Sequence, residues 1–192
     1  MSHSKIHTHF KLYKPYGYLS QFVNNQNKRR NKKLLGSLYP FPKNLMAIGR
    51  LDEKSEGLLL LTTHGKASEY IRSSQIEKEY YVLVDGVLTS EAVSCLIHGV
   101  RISVNGQPYL AKAKDAYLFF ETPNVPDRLV RDEKHGPTSW ISITLTEGKF
   151  RQVRKMTAAI GFPTLRLVRV RIGNYRLNQM QPGDVEEIET IL

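Results

Sequence analysis

The sequence predicts an α+β fold: a mostly antiparallel mixed sheet with flanking helices. Three observations carry that expectation. Apolar or alternating runs of strand length recur throughout, as in Leu58–Thr62, Glu79–Val84, Ser139–Thr146 and Thr164–Ile172. Helical spacing is confined to Lys66–Ser73, Thr89–His98 and Lys149–Ile160. Turn signals separate the runs, among them Asp85-Gly86, Asn105-Gly106 and Pro182-Gly183. With 192 residues, 41% hydrophobic and 24% charged, the chain is long enough to bury a core without staples. That length suits one domain, or one domain built from two halves.

The elements follow in order. Phe10–Phe22 is aromatic-rich, is broken by Pro15 and Gly17, and reads as two short strands around a turn. Asn24–Lys33 has no apolar residue and reads as a solvated loop. Leu45–Ile48 is a short strand that leads through the polar loop Gly49–Gly57 into the buried strand Leu58–Thr62. Lys66–Ser73 is helical, with Ala67, Tyr70 and Ile71 on one side. Thr89 caps a helix whose stripe is Ala92, Val93, Leu96 and Ile97, with Cys95 packed on the same side. Val104-Asn105-Gly106-Gln107 marks a tight hairpin. Ala116–Glu121 is a further strand, and Thr122–Pro137 a long surface loop. In Ser139–Thr146, Ile141, Ile143 and Leu145 share a face. Gly148 opens the helix Lys149–Ile160, which Gly161 and Pro163 stop. A short acidic tail follows Pro182-Gly183.

Charge narrows the function. Lys plus Arg number 28 against 18 Asp plus Glu, a formal net charge of +10, so a polyanion is the expected partner. No stretch approaches membrane-spanning length, and no basic amphipathic helix suits a membrane surface. The start lacks the apolar region of a secretory signal. One cysteine excludes an intrachain disulfide, and a cytoplasmic protein is expected. The histidines show no metal-ligand spacing, and the nucleotide-binding glycine patterns are missing, so neither metal nor cofactor is expected. No helix-turn-helix or zinc-finger pattern supports DNA as the partner.

Five groups of residues could carry chemistry, and each has a plainer reading. Gly49-Arg50-Leu51-Asp52 lies on a loop held between two buried strands, a rigid platform for a reactive group. Asp52 reads either as a carboxylate kept ionised by Arg50 or as the cap of a surface turn. On the helix Lys149–Ile160, Phe150, Val153, Met156, Thr157 and Ile160 mark an apolar stripe, and Arg151, Arg154 and Lys155 a basic face. With Lys149, that face either holds phosphates or a carboxylate, or is merely solvated. Arg166, Arg169 and Arg171 on one strand suit contacts to nucleic acid, or a charged edge strand. Lys28-Arg29-Arg30-Asn31-Lys32-Lys33 answers a polyanion or is a loose loop. Tyr80 and Tyr81 point to opposite sides of their strand; one in a cleft can stack on a base and relay a proton, or one is core and one exposed.

Together these pieces resemble the RNA pseudouridine synthases, in the group that modifies ribosomal RNA. The resemblance rests on three ordered segments: Gly49-Arg50-Leu51-Asp52-Glu53-Lys54-Ser55-Glu56-Gly57 with Leu58–Thr62, Lys78-Glu79-Tyr80-Tyr81-Val82, and Glu147-Gly148-Lys149-Phe150-Arg151-Gln152-Val153-Arg154-Lys155-Met156. Gly161–Arg169 continues the third, and the likeness extends from Lys14-Pro15 to Pro182-Gly183. It implies a catalytic domain in two halves around a cleft. It also implies isomerisation of a uridine in large-subunit ribosomal RNA to pseudouridine, with no cofactor. By the same analogy Asp52 is the essential carboxylate, Tyr80 stacks on the flipped base, and Arg154 pairs with Asp52. Arg50 would brace the space the base vacates. Arg29, Arg30, Lys32, Lys33, Lys149, Arg151, Arg166 and Arg169 would hold the flanking RNA. Many relatives carry an RNA-binding domain ahead of the catalytic part. Here the catalytic pattern begins near Phe10, so a single domain over residues 1–192, acting as a monomer, is expected.

Overall fold

A computed structural model of the chain describes residues 7–23 and 31–191. The described elements run β1 (His9–Lys14), β2 (Tyr18–Leu19), β3 (Lys33–Leu34), β4 (Met46–Ala47), β5 (Glu56–Thr62), α1 (Gly65–Arg72), β6 (Lys78–Asp85) and α2 (Ser90–His98). They continue with β7 (Val100–Val104), β8 (Gln107–Ala111), β9 (Asp115–Leu118), β10 (Thr138–Leu145), α3 (Gln152–Ala159), β11 (Thr164–Ile172), β12 (Tyr175–Arg176) and β13 (Val185–Ile188). The main sheet has the order β13-β1-β5-β11-β6-β10-β9, with β4 added to β5 and β12 to β11. Its pairings are antiparallel except β5 with β11. The expected α+β mixed sheet is therefore present. The parallel seam joins two halves, β13-β1-β5 and β11-β6-β10-β9.

The seam depends on Gly57. Its φ is +104°, and a Cβ there would meet the Arg169 backbone nitrogen at 2.7 Å. Only glycine lets β11 approach β5 this closely. Every residue of β5 is buried. Leu59 and Leu61 pack with Phe10, Leu12 and Leu45, while Leu58 and Leu60 pack with Tyr13, Ile71 and Val168. Cover on both faces explains its unbroken apolar run. In the other half, Val82, Val84, Ile141 and Ile143 pack with Leu96 and Met156 from α2 and α3.

Several expectations need correction. β2 pairs in parallel with β3 rather than with β1. Asn105 and Gly106 do turn a hairpin, both at positive φ, but β7 and β8 form a sheet of their own. The acidic tail contributes β13, whose Val185–Ile188 pair with Leu12–His9. Cys95 is exposed, because α2 buries fully only Leu96. Helix α3 starts at Gln152, not Lys149, because Arg151 at its N-cap is left-handed, φ 52° and ψ 35°. That break removes Phe150 from the apolar stripe and leaves its ring 68% exposed. Among the described residues, no helix is long and apolar enough to cross a membrane.

Candidate active site

The β4–β5 loop, β6, β11 and the start of α3 enclose a cavity of about 360 Å³. Asp52, Tyr80, Arg154, Arg50, Lys149, Arg151 and Arg169 all line it. Residues far apart in sequence are thus brought together by the seam and by the turn before α3.

The Asp52 loop is clamped from below. Leu51 is buried, and its N–H donates to Ser20 Oγ at 2.9 Å while Ser20 Oγ donates to Leu51 O at 2.8 Å. The Gly17 N–H donates to Glu53 O at 2.8 Å. Lys14, fully buried, holds the strap 14–20 in shape by donating to Pro15 O at 2.9 Å and Tyr18 O at 2.7 Å. Burial drives its ammonium down to about 7, against the pull of nearby Glu56 and Asp52.

Two guanidinia address one oxygen of Asp52. Arg151 Nη1 donates to Oδ2 at 3.3 Å, and Arg154 Nε lies 3.8 Å from the same atom. Oδ1 has no hydrogen bond among the described residues. Arg154 is fixed by donating from Nη2 to Lys54 O at 2.7 Å and Ser55 Oγ at 3.1 Å. Burial, and next the Arg151 cation, hold its guanidinium below its ordinary value, while Asp52 acts in the opposite sense. The turn that delivers both arginines is held by side chains. Lys149 N–H donates to Gln152 Oε1 at 2.9 Å, Gln152 Nε2 to Glu147 Oε1 at 2.6 Å, and Tyr109 OH to Glu147 Oε2 at 2.6 Å.

Tyr80 is nearly buried, and Leu145, Val153 and Leu167 line the same cavity. Tyr81 packs edge-on against Phe119 on the other side of β6. A bulge sets the phase of β11: Arg169 faces Tyr80 and Ile172 faces Lys78, so two steps on β6 match three on β11. Arg169 and Ile172 consequently both line the cavity. Arg169 Nε donates to Leu58 O at 2.8 Å, and its Nη2 is buried with no partner among the described residues. Burial, and then Arg169, lower the Lys78 ammonium to about 8.

Some predicted residues lie elsewhere. Arg166 is corrected as an RNA contact: it is 3% exposed, pairs with the equally buried Glu56, and donates to Pro126 O at 2.7 Å. Arg171 is engaged by Glu77 and Glu79. Lys32 pairs with Glu53 at 2.6 Å, and Lys33 lies 5.6 Å from the Tyr18 ring centroid. Lys28, Arg29 and Arg30 lie outside the described residues. Sequence reasoning missed Ser20, Glu147, Gln152 and Tyr109, whose roles arise from contacts with no local pattern; Glu147 and Gln152 stood within the third resembling segment, but without a role.

The arrangement offers one bare carboxylate oxygen, an apolar slot flanked by a tyrosine ring, and cations at the rim. That set suits work on the sugar and base of a nucleotide. The model of the family described as RNA pseudouridylate synthase matches residues 8–159. A ribosomal large subunit pseudouridine synthase E of Vibrio parahaemolyticus is 42% identical over 180 residues, covering 92% of this chain and 71% of that protein. One from Xanthomonas axonopodis pv. citri is 39% identical over 175 residues, covering 89% and 88%. A crystal structure of a pseudouridylate synthase superposes with a TM-score of 0.72 at 24% identity, covering 95% of this chain and 70% of that one, and supports the fold. A cavity built from the three resembling segments, on a shared fold and with relatives matched over most of their length, leads to one assignment: the chain belongs to the RNA pseudouridine synthase family, enzymes that isomerise uridine in RNA.

Proposed function

We propose that this enzyme converts a specific uridine of large-subunit ribosomal RNA to pseudouridine, with Asp52 as its essential carboxylate. The bond between ribose C1′ and uracil N1 breaks, the freed base turns, and C5 bonds to the same C1′. The C5 proton leaves and N1 gains one, so atoms balance and no redox partner is needed. Asp52 acts at the ribose, as nucleophile on C1′ or as base on its neighbouring carbon. The observation that carries this reading is the one-sided pairing of Asp52: both guanidinia sit at Oδ2, so Oδ1 is left for the sugar. Tyr80 stacks on the everted uracil and assists proton exchange at C5; its near burial beside Leu145 and Leu167 supports that role. Arg50, exposed on the rim, braces the helix or loop from which the base is drawn. Lys149 and Arg151 meet the adjoining phosphates. The continuous sheet supports residues 7–191 acting as one catalytic unit.

Large-subunit ribosomal RNA as the target is supported by the names of the two relatives above. The test is to map pseudouridines in large-subunit RNA transcribed in vitro and incubated with the wild-type protein or with Asp52→Asn. The wild type is expected to add pseudouridine at a defined position. The variant is expected to fold and bind RNA alike but yield none. Wild-type rates from Asp52→Asn would falsify the catalytic assignment.

A further inference from the structure

Phe150 departs from its sequence pattern in a way the chemistry above does not use. At helical spacing it would join Val153 and Met156, which are 5% and 0% exposed. Instead the left-handed Arg151 breaks the phase, and the ring stands 68% exposed. A non-glycine residue in that conformation persists where the surroundings over-determine it. Here they do: Glu147, Gln152 and Tyr109 hold the turn through three side-chain hydrogen bonds. An apolar ring is therefore presented to solvent on a stiff support.

Its position says what the ring can meet. Its chain neighbours Lys149 and Arg151 both line the cavity, and Arg151 touches Asp52. Phe150 stands between them in the chain and is not itself part of that lining. Lys155 Nζ is 5.5 Å from its centroid and is tethered to Ser103 O at 2.7 Å, so a fixed cation flanks the ring. An aromatic face among cations is the combination that takes single-stranded nucleic acid, stacking a base while phosphates are neutralised. Phe120, 101% exposed, lacks this setting: Glu121 follows it and neither residue lines the cavity.

We infer that Phe150 is a stacking platform for the nucleobase adjacent to the target uridine, holding the RNA strand unstacked at the cavity mouth. This rests on the proposed action on a uridine within RNA. The platform selects for an unpaired neighbour, because a base within a helix already has both faces covered.

The experiment uses a stem-loop RNA spanning the mapped uridine, with 2-aminopurine at its 5′ or 3′ neighbour in turn. Wild-type protein should alter the fluorescence at one of the two positions. Phe150→Ala should abolish that change and weaken binding about tenfold, within the range for loss of one base–aromatic stack. Phe150→Trp should retain both signal and affinity, and Phe120→Ala should behave as wild type. Thermal unfolding should be the same for all, since neither ring is buried. A Phe150→Ala protein with wild-type signal and affinity overturns the inference. So does a loss that Phe150→Trp fails to restore. Pseudouridine assayed on the same RNA separates the readings: wild-type protein that binds without converting the uridine overturns the proposed activity, while the fluorescence still decides the stacking.

Discussion

Lys14 shows how much of the site is supported by a residue that does not line the cavity. A fully buried ammonium is costly, and this one has only two backbone carbonyls as direct partners among the described residues. Its folded value of about 7 lies below the roughly 10.4 of an unfolded lysine. Between those values the unfolded chain binds the proton and the folded chain does not. Stability contributed by this group therefore rises with pH from about 7 to 10, and below 7 the full burial cost is present. The slope inside the window approaches about 1.4 kcal/mol per pH unit. Unfolding free energies of wild type and Lys14→Met, compared from pH 7 to about 9.5, should diverge, the wild type gaining on the variant as pH rises. A constant difference would show that the ammonium is not desolvated. Because the strap it shapes holds Leu51 and Glu53 on either side of Asp52, Lys14→Met is also expected to lower activity at every pH.

At the scale of elements, the long β9–β10 connection is tied down by charge. Arg166 and Glu56 are both buried, Arg128 reaches the same Glu56 oxygen at 3.3 Å, and Arg128 also stacks 4.3 Å from the Tyr16 ring centroid. Arg131 fixes the far end by pairing with Asp85 at 2.7 Å. Removing one member of a buried pair strands the other. Glu56→Gln should cost about 3–5 kcal/mol and lower the unfolding midpoint by about 10 °C. The double variant Glu56→Gln with Arg166→Met should recover part of that loss, a non-additivity that a double-mutant cycle in thermal unfolding would detect. This pair also marks where the sequence stops being legible. The alternating runs of β6, β10 and β11 were readable because each strand's own pattern reports its burial. The destination of Arg166 was not, because a basic residue on a strand looks the same whether it faces RNA or a buried glutamate 110 positions away. The start of α3 was misplaced for a similar reason: its phase is set by Tyr109 and Glu147 acting on the turn, not by local propensity. Asp52, Tyr80 and Arg154 were legible only as three segments of one family; composition and periodicity alone left each with an ordinary alternative.

For the whole molecule, the excess of ten positive charges overstates what RNA can meet. Arg166, Arg171, Arg128, Arg131 and Lys32 all have carboxylate partners within the protein. A cation so paired exchanges one anion for another when a phosphate arrives, and it releases little bound salt. The cations at the cavity mouth, Arg50 and Lys149, have no carboxylate partner among the described residues, so the salt dependence of binding should concentrate there. Each phosphate contact to single-stranded RNA contributes about 0.7 to the slope of log affinity against log salt. Arg50→Gln and Lys149→Gln should each flatten the slope by about that amount, and the pair by about twice it, in filter-binding titrations over a fewfold range of salt. Lys32→Gln should leave the slope near wild type, because Glu53 already holds that ammonium. Arg29→Gln with Arg30→Gln extends the test to the basic stretch 28–33: a flattened slope adds that stretch to the interface. If instead Lys32→Gln alone flattens the slope as strongly as Arg50→Gln, the ion pair with Glu53 opens on binding, and that stretch rather than the mouth is the main anchor of the RNA.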